Sequence, residues 1–495
     1  MTADVCLLLE GTYPFVSGGV SSWVHQLLLA HPDLSFHLVC LTPDDGARVR
    51  KFQPPDNVRS VTSIPLQSLP MGQHRASPRT QAVVEALLVI VDRLLRGVAT
   101  VDDLTAFARR AAGLSGEAGR ALLLDSRMAF GAVKAGYDQI GSDSSFLDFF
   151  WSWRSLASAV LAVLLPPLPE ARCYHAVSTG FAGLLGARLA AATGRPLILT
   201  EHGIYTNERR IEIAMADWLY QGPEVSFAPR KVSRDLRDLW IEAFEGFARL
   251  TYAAADPVVT LYRGNQRLQL RDGAMPARLS IIPNGVDFER YAAVIRDPAP
   301  RPPTVALIGR VVPIKDVKTF IRAVGLLRRS IPDARGEILG PLEEDPAYAR
   351  ECAALIRQLG LENAITLHGP VTVLDWLARI DVSVLTSISE AQPLTILEAG
   401  AAGVPCIATD VGACREMIEA NPPDAEPLAP GGAVTPIANP AATADAMATL
   451  LGDHRRWTSA SRAMQERVRT RFLKSDCDRA YERLYGRAIE RRLSA

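Results

Sequence analysis

The feature that most constrains this chain is an alternation that runs through it twice. Apolar runs of strand length at residues 5–9, 36–41, 173–177, 197–200, 258–261 and 279–282 alternate with segments of helical period such as 20–30 and 181–192. Runs that are apolar throughout suit strands covered on both faces. Alternation with helices makes those strands parallel, joined by right-handed crossovers. Four prolines within eight residues (Pro298, Pro300, Pro302 and Pro303) then break the pattern, because neither a helix interior nor a central strand accommodates them. Beyond them the alternation restarts, with runs at 305–308, 336–339, 364–367, 382–385 and 406–408.

The expected architecture is therefore α/β, with two Rossmann-like domains over residues 1–295 and 304–460 and a linker between them that serves as hinge. Residues 75–165 carry helical periodicity and no strand-like run, so they read as a helical insertion in the first domain. Residues 205–250 are likewise helix-rich and charged. The apolar run 156–165, behind Trp151 and Trp153, is too short to span a bilayer and reads as a buried core helix, with a partner- or membrane-facing surface as the alternative. Lys and Arg number 54 against 54 Asp and Glu, a balance that argues against non-specific nucleic-acid binding. Seven cysteines without a C-x-x-C pair argue against a zinc site or a disulfide framework. With no signal-peptide pattern at the start, a reducing cytoplasm is the expected compartment. Charge is uneven: residues 461–495 hold ten Lys/Arg and five Asp/Glu, a net of +5, read as solvated arginines or as a contact with an anionic membrane or acidic partner.

Four places carry candidate chemistry, each with a plainer alternative. The loop from Gly11 through Gly18 and Gly19 follows the first strand and opens a helix, where glycines admit a ligand and helix N–H groups attract anions. Its spacing is not that of a dinucleotide loop, and a simple tight turn explains it equally well. His202, in Thr200-Glu201-His202-Gly203, follows a strand end and can reach a substrate hydroxyl or phosphate; a structural histidine is the commoner case. Arg310 and Lys315, five residues apart in one strand–helix loop, suit a diphosphate or are solvated cations. Glu390 precedes a helix that begins near Pro393, and Glu398 lies about one and a half turns inside it. Such carboxylates accept from vicinal hydroxyls, while the N–H groups of Leu394 and Thr395 can meet phosphate. Acids are also favoured near any helix start.

In order, Gly18-Gly19, Ile282-Pro283-Asn284-Gly285-Val286-Asp287, Gly309-Arg310 with Lys315, and Glu390-x7-Glu398 resemble the signature of the GT-B retaining glycosyltransferases of family 4. The segment Glu10-Gly11-Thr12-Tyr13-Pro14 through Ser21-Ser22-Trp23, with Thr200–Tyr205 and Glu208–Glu212, is similar to the subfamily acting in Pel exopolysaccharide synthesis. The resemblance implies a GT-B fold: two Rossmann-like domains facing a cleft, with the final helices (461–495) crossing back to the first. It implies a UDP-sugar donor of the UDP-glucose or UDP-N-acetylhexosamine type and a growing polysaccharide as acceptor. Arg310 and Lys315 would hold the diphosphate, Leu394 and Thr395 would donate to it, and Glu398 would bind ribose. Glu390 and His202 would contact the donor sugar, with Gly18 and Gly19 approaching from the other domain. Tyr205, Glu208 and Arg209 are the acceptor-side candidates. It further implies retention of configuration, no metal and no cofactor, and a cytoplasmic enzyme, peripheral at the inner membrane face beside a synthesis and export complex. Ala391 departs from the glycine common after the first glutamate, which puts the donor sugar in doubt. The sole D-x-D, Asp476-Cys477-Asp478, lies in a helical tail and reads as surface acid. A GT-B sugar-nucleotide epimerase and a non-catalytic nucleotide-binding scaffold are the alternatives.

Overall fold

A computed structural model describes residues 2–73, 77–114, 119–140, 145–167, 170–214, 236–296, 299–419 and 427–490. The chain forms two compact units. The first comprises Met1–Thr260, Asn265–Ser280 and Tyr481–Ala495; the second comprises Leu261–Gly264 and Ile281–Ala480.

The first unit is built on strands β1 (Ala3–Glu10), β2 (Phe36–Thr42), β3 (Val58–Pro65), β4 (Ala171–Ala176), β5 (Leu197–Glu201), β6 (Ala255–Thr260) and β7 (Leu279–Ile281). They lie in the order β3-β2-β1-β4-β5-β6-β7. Pairing is parallel from β3 through β6; Leu7 of β1 faces Leu38 of β2 on one side and His175 of β4 on the other. The second unit has β8 (Thr304–Ile308), β9 (Arg335–Leu339), β10 (Ile365–Gly369), β11 (Val382–Leu385), β12 (Cys406–Thr409) and β13 (Gly432–Thr435). Their order is β10-β9-β8-β11-β12-β13, again with parallel pairs. Strand order reverses at β1/β4 and at β8/β11. The crevice beyond the carboxyl ends at such a switch point is where open α/β sheets bind ligands.

Central strands appear where the apolar runs predict them, because both faces are covered; all of Val5–Leu9 and Val382–Leu385 is buried. The two strands that sequence reading does not find, β3 and β13, are each the last strand of a sheet. β3 is mostly half-buried and its sequence, VRSVTSIP, is correspondingly mixed. An edge strand needs less apolar cover, so its signal is weak.

Between β3 and β4 lie the helices Pro78–Leu95, Val101–Ala111, Arg120–Leu123, Arg127–Ile140 and Phe146–Leu164. Helix Phe146–Leu164 starts ten residues before the apolar run and is long and apolar enough to span a bilayer by composition, yet Leu156 to Leu164 are buried in the core of the unit. Helices Tyr205–Ala214 and Leu236–Ala254 represent the stretch 205–250; residues 215–235 lie outside the described residues.

Two expectations are corrected. The Pro-rich stretch is not the unit boundary: residues 281–296 belong to the second unit. Arg296 and Arg301 both pair with Asp381, whose Oδ2 also accepts from the Thr304 N–H at 2.8 Å, so these cations fasten the stretch to the residue that leads into β11. Residues 297–298 lie outside the described residues. Nor are the arginines of the C-terminal helices (His454–Arg471 and Lys474–Glu490) all solvated. Arg467 is fully buried, donates to the Ala429 carbonyl at 3.1 Å, and has its pKa pushed down to about 10 by burial. The seven cysteines are free thiols, six of them buried.

Candidate functional site

At the β8/β11 switch point of the second unit, β8 runs into Gly309-Arg310 and a short 3-10 turn, Pro313–Lys315. The helix Val317–Leu327 begins two residues after Lys315, with Asp316 as its cap in a left-handed conformation. β11 runs into the loop that carries Ser387 and Glu390. The loops are laced together: the Ile388 N–H donates to Ile314 O at 2.8 Å, and Thr386 Oγ1 donates to Asp316 O at 2.9 Å. This brings the Lys315 ammonium onto Glu390 Oε1, which also accepts from Ser387 Oγ at 2.7 Å. Both side chains are mostly buried. Among the described residues Glu390 Oε2 accepts no hydrogen bond.

Arg310 does not join this pair; its Nη1 is 2.6 Å from Glu344 Oε2, and both side chains are nearly half exposed. Glu398 also stands apart from Glu390. It accepts from the Tyr291 hydroxyl near Arg290, and burial, the largest influence, pushes its pKa up. Leu394 and Thr395 open the helix Leu394–Ala401, whose cap, Pro393, supplies no side-chain hydrogen bond. The first N–H groups of an α-helix have no partner within it, so this start is available to an anion. The methyl of Ala391 causes no backbone strain, since Asp316 and Ala438 are the non-glycine residues with positive φ among the described residues.

The Asn-Gly-Val-Asp segment explains how the loop is held. The Asn284 N–H donates to Gln392 Oε1 at 2.6 Å, between the two glutamates in sequence. Val286 exchanges backbone bonds with Phe472 and Lys474, and Asp287 caps the helix Phe288–Ala292 that carries Tyr291. Its role here is to position others.

In the first unit, Gly18 precedes the helix Gly19–Ala30 and offers no side-chain cap. Gly18 has extended backbone, and a Cβ on either Gly18 or Gly19 would meet no atom within 4 Å. The chain's own packing therefore does not require glycine at either position. Close approach of an external group would require it. His202 follows β5. It is buried, and among the described residues neither ring nitrogen has a hydrogen-bond partner. Burial drives its pKa down to about 4, so it is neutral at pH 7. The Trp23 ring stands edge-on to it at 4.5 Å. Asn265 Nδ2 fixes the loop by donating to the His202 carbonyl at 3.3 Å.

Tyr205 donates to Glu10 Oε1 at 2.5 Å, and the second carboxylate oxygen accepts from the Ala182 N–H at 3.1 Å. Glu10 thus ties the end of β1 to the helix after β4. Arg209 lies over the Tyr205 ring at 4.9 Å and pairs with Glu212 at 2.7 Å. Glu208 stands against Gly203, where a Cβ would lie 2.0 Å from its Oε1. The acceptor-side candidates thus share one corner of the unit with Glu10, a residue passed over in the sequence because it reads as a strand end.

Also unforeseen are Glu201 and His175. Glu201 Oε2 accepts from Tyr252 and Gln269 and Oε1 from Thr179, while burial raises its pKa to about 7. His175 bonds Tyr485 through Nδ1 at 2.8 Å and Thr200 through Nε2 at 2.9 Å, and burial pushes its pKa down to about 3. From an ordinary 6.5, this depression means that the unfolded chain takes up a proton below pH 6.5 while the folded chain stays neutral. Stability supplied by neutral His175 is complete above pH 6.5 and is lost as pH falls toward 3. His175→Gln keeps a donor and an acceptor but cannot titrate. It is expected to flatten the slope of unfolding free energy against pH between 6.5 and 4 by up to about 1.4 kcal/mol per pH unit. Urea unfolding of both proteins across that range checks this. His202, of the same sign, and Glu201, of opposite sign, are common to both.

Among the described residues no three His, Cys, Asp or Glu side chains cluster as metal ligands would. Residues 3–277, more than half of the chain, match the family model described as "Domain of unknown function (DUF3492)", and residues 302–453 match "Glycosyl transferases group 1". The chain is 32% identical over 189 residues to a D-inositol 3-phosphate glycosyltransferase of Paenarthrobacter aurescens (strain TC1), covering 35% of this chain and 43% of that protein. It is 29% identical over 251 residues to the protein of that name from Pseudarthrobacter chlorophenolicus, covering 48% and 54%. The chain thus spans about half the length of these curated relatives. Among solved structures, Anabaena Alr3699/HepE in complex with UDP is similar at TM-score 0.60 and 15% identity, covering 98% of this chain and 99% of that one. Sucrose-phosphate synthase from Thermosynechococcus elongatus is similar at TM-score 0.57 and 17% identity, covering 98% of each. These likenesses show the fold, the two-domain α/β architecture of GT-B glycosyltransferases. The chain belongs to the DUF3492 family, and its second unit is a group 1 glycosyl transferase domain on a GT-B fold.

Proposed function

We propose that this chain is a retaining glycosyltransferase that moves a sugar from a UDP-sugar to a growing polysaccharide. The observation that carries the reading is the Lys315–Glu390 pair beside an uncapped helix start at the β8/β11 switch point. A diphosphate needs concentrated positive charge, which Lys315, Arg310 and the N–H groups of Leu394 and Thr395 supply. Glu390 Oε2 accepts sugar hydroxyls and Glu398 those of ribose. Stabilising charge on the departing diphosphate is the main catalytic contribution of these residues. His202, neutral and without a partner among the described residues, gives or takes a hydrogen bond at a substrate hydroxyl. The HepE crystals with UDP and glucose, and with UDP-glucose, support a UDP-sugar as the donor class.

The finer reading is a Pel-like exopolysaccharide as product, made on the cytoplasmic side of the inner membrane within a synthesis complex. Its support is the likeness of residues 10–23, 200–205 and 208–212 to that subfamily. We also propose that transfer needs no divalent ion, with Lys315, Arg310 and the helix start at Leu394 taking up the charge of the leaving group.

The test is turnover of UDP-sugars with polysaccharide acceptors, run with and without EDTA, for the wild type and His202→Phe. Phe removes two buried, unpartnered polar atoms, so the melting temperature should hold or rise, while turnover falls about 100-fold. Binding of UDP without turnover of any sugar donor overturns the enzyme reading. Loss of activity in EDTA that a divalent ion restores overturns the metal-free one.

A further inference from the structure

We propose that the helical layer of the first unit carries a docking surface for an anionic lipid bilayer, made of an aromatic ridge and an arginine-lined cavity beside it. The ridge is continuous. Phe130 contacts Phe146 at 5.9 Å between ring centroids, Phe146 contacts Phe150 at 6.4 Å, and Phe150 contacts Trp151 at 5.2 Å. It is also exposed: Phe130 is 51%, Trp151 57% and neighbouring Leu147 62% accessible. Leu147 and Trp151 are one turn apart on the helix whose later residues form the core. The outward apolar residues are therefore confined to its first two turns and are not packing left over from the interior. Large aromatics side by side at a surface mark an interface, and Trp favours the boundary between water and lipid.

Charge decides the partner. Arg127 and Lys134 flank Phe130 at one-turn spacing on the helix Arg127–Ile140, both exposed and, among the described residues, without an ionic partner; exposed Asp138, one turn beyond Lys134, leaves this stripe with a net charge of +1. Asp148, on the ridge helix, is turned to the helix start, where Ser145 Oγ donates to it at 2.7 Å. Behind Trp151 lies a cavity of about 350 Å³ lined by Arg120, Arg154, Ser155, Ser158 and Gln67. Arg154 and Arg120 reach the same carboxylate, Asp125, at 2.5 Å and 3.1 Å. Two guanidinium groups share one negative charge, which leaves one positive charge for a headgroup phosphate. Aromatic anchors rimmed by basic side chains fit an anionic interface, where each cation contributes through the surface potential. A second copy would set these unpaired cations against each other.

The test uses the full chain and does not depend on turnover, so it stands apart from the glycosyltransferase reading. Co-sedimentation is measured with vesicles of equimolar phosphatidylglycerol and phosphatidylcholine, and with phosphatidylcholine alone, at low and high salt. Expected is binding to the anionic vesicles that weakens with salt. Leu147→Ser with Trp151→Ser should weaken it at least tenfold, and Arg127→Gln or Lys134→Gln about fivefold each. Trp151→Ser alone serves if the double variant fails to fold. Absence of sedimentation, or equal binding to both vesicles, overturns the proposal. So does binding of glycerol 3-phosphate by calorimetry without vesicle binding. A dimer by light scattering that Trp151→Ser dissolves, again without vesicle binding, assigns the ridge to a second copy and overturns it as well.

Discussion

Lys315→Met is expected to lower kcat/KM for a UDP-sugar about 100- to 1,000-fold, the cost of losing one preorganised charge at a leaving group. Arg310→Ala should cost far less, about tenfold. The difference follows from burial. Lys315 and Glu390 are 18% and 13% exposed, so their charges act with little solvent screening, whereas Arg310 and Glu344 are 48% and 44% exposed. An exposed pair spends much of its attraction against water and salt. The two assignments separate in UDP calorimetry at low and high salt, where only the Arg310 contribution should fade. Unchanged kcat/KM and unchanged UDP affinity in both variants would remove the diphosphate from this loop.

Gly340→Ala should destabilise the second unit by about 3 kcal/mol. Gly340 directly follows β9 with φ 155°, and a Cβ there would stand 2.0 Å from the Gly309 carbonyl oxygen. That distance is far inside contact and the obstacle is backbone, so one strand end must move. Gly309 N–H donates to Leu339 O at 2.9 Å, and Arg310 follows directly. The displacement therefore reaches the loop that holds the candidate phosphate cations, and UDP affinity should drop along with stability. Urea unfolding followed by a probe in the second unit tests the first effect and calorimetry the second. A variant as stable as the wild type would mean that β8 and β9 part without cost at this point.

What the sequence discloses and what it hides divide along a physical line. Strands covered on both faces must be apolar throughout, so β1, β2, β8 and β11 stand out. β3 and β13, at sheet edges, have no such requirement. Glu390, Lys315 and His202 stand out as candidates because strand ends of α/β sheets are where chemistry collects. Their partners are not. Glu344 lies 34 residues from Arg310, and Gln392 meets Asn284 across 108. Tyr485 meets His175 across 310. No local pattern marks such pairs. The proline cluster misleads for a related reason: its composition is that of a linker, while the arginines within it are paired with Asp381, which only the folded chain brings near.

The bonds from His175 to Tyr485 and from Thr200 Oγ1 to Tyr481 at 3.1 Å bear on the order in which the protein is made. Domains usually fold as they emerge, the N-terminal one first. Here the first unit is finished by residues 481–490, which are translated only after the whole of residues 281–480 of the second unit. Until then His175 Nδ1 lacks the hydroxyl of Tyr485, Thr200 Oγ1 lacks that of Tyr481, and Phe36 lacks the ring of Tyr485, 6.1 Å away in the finished protein. A nascent chain stalled before residue 481 would hold a sheet with an unsealed face for the whole synthesis of the second unit. The helix Lys474–Glu490 therefore ties completion of the first unit to prior translation of the second. Truncated products should fail at the first unit, although every strand of that unit has already been translated.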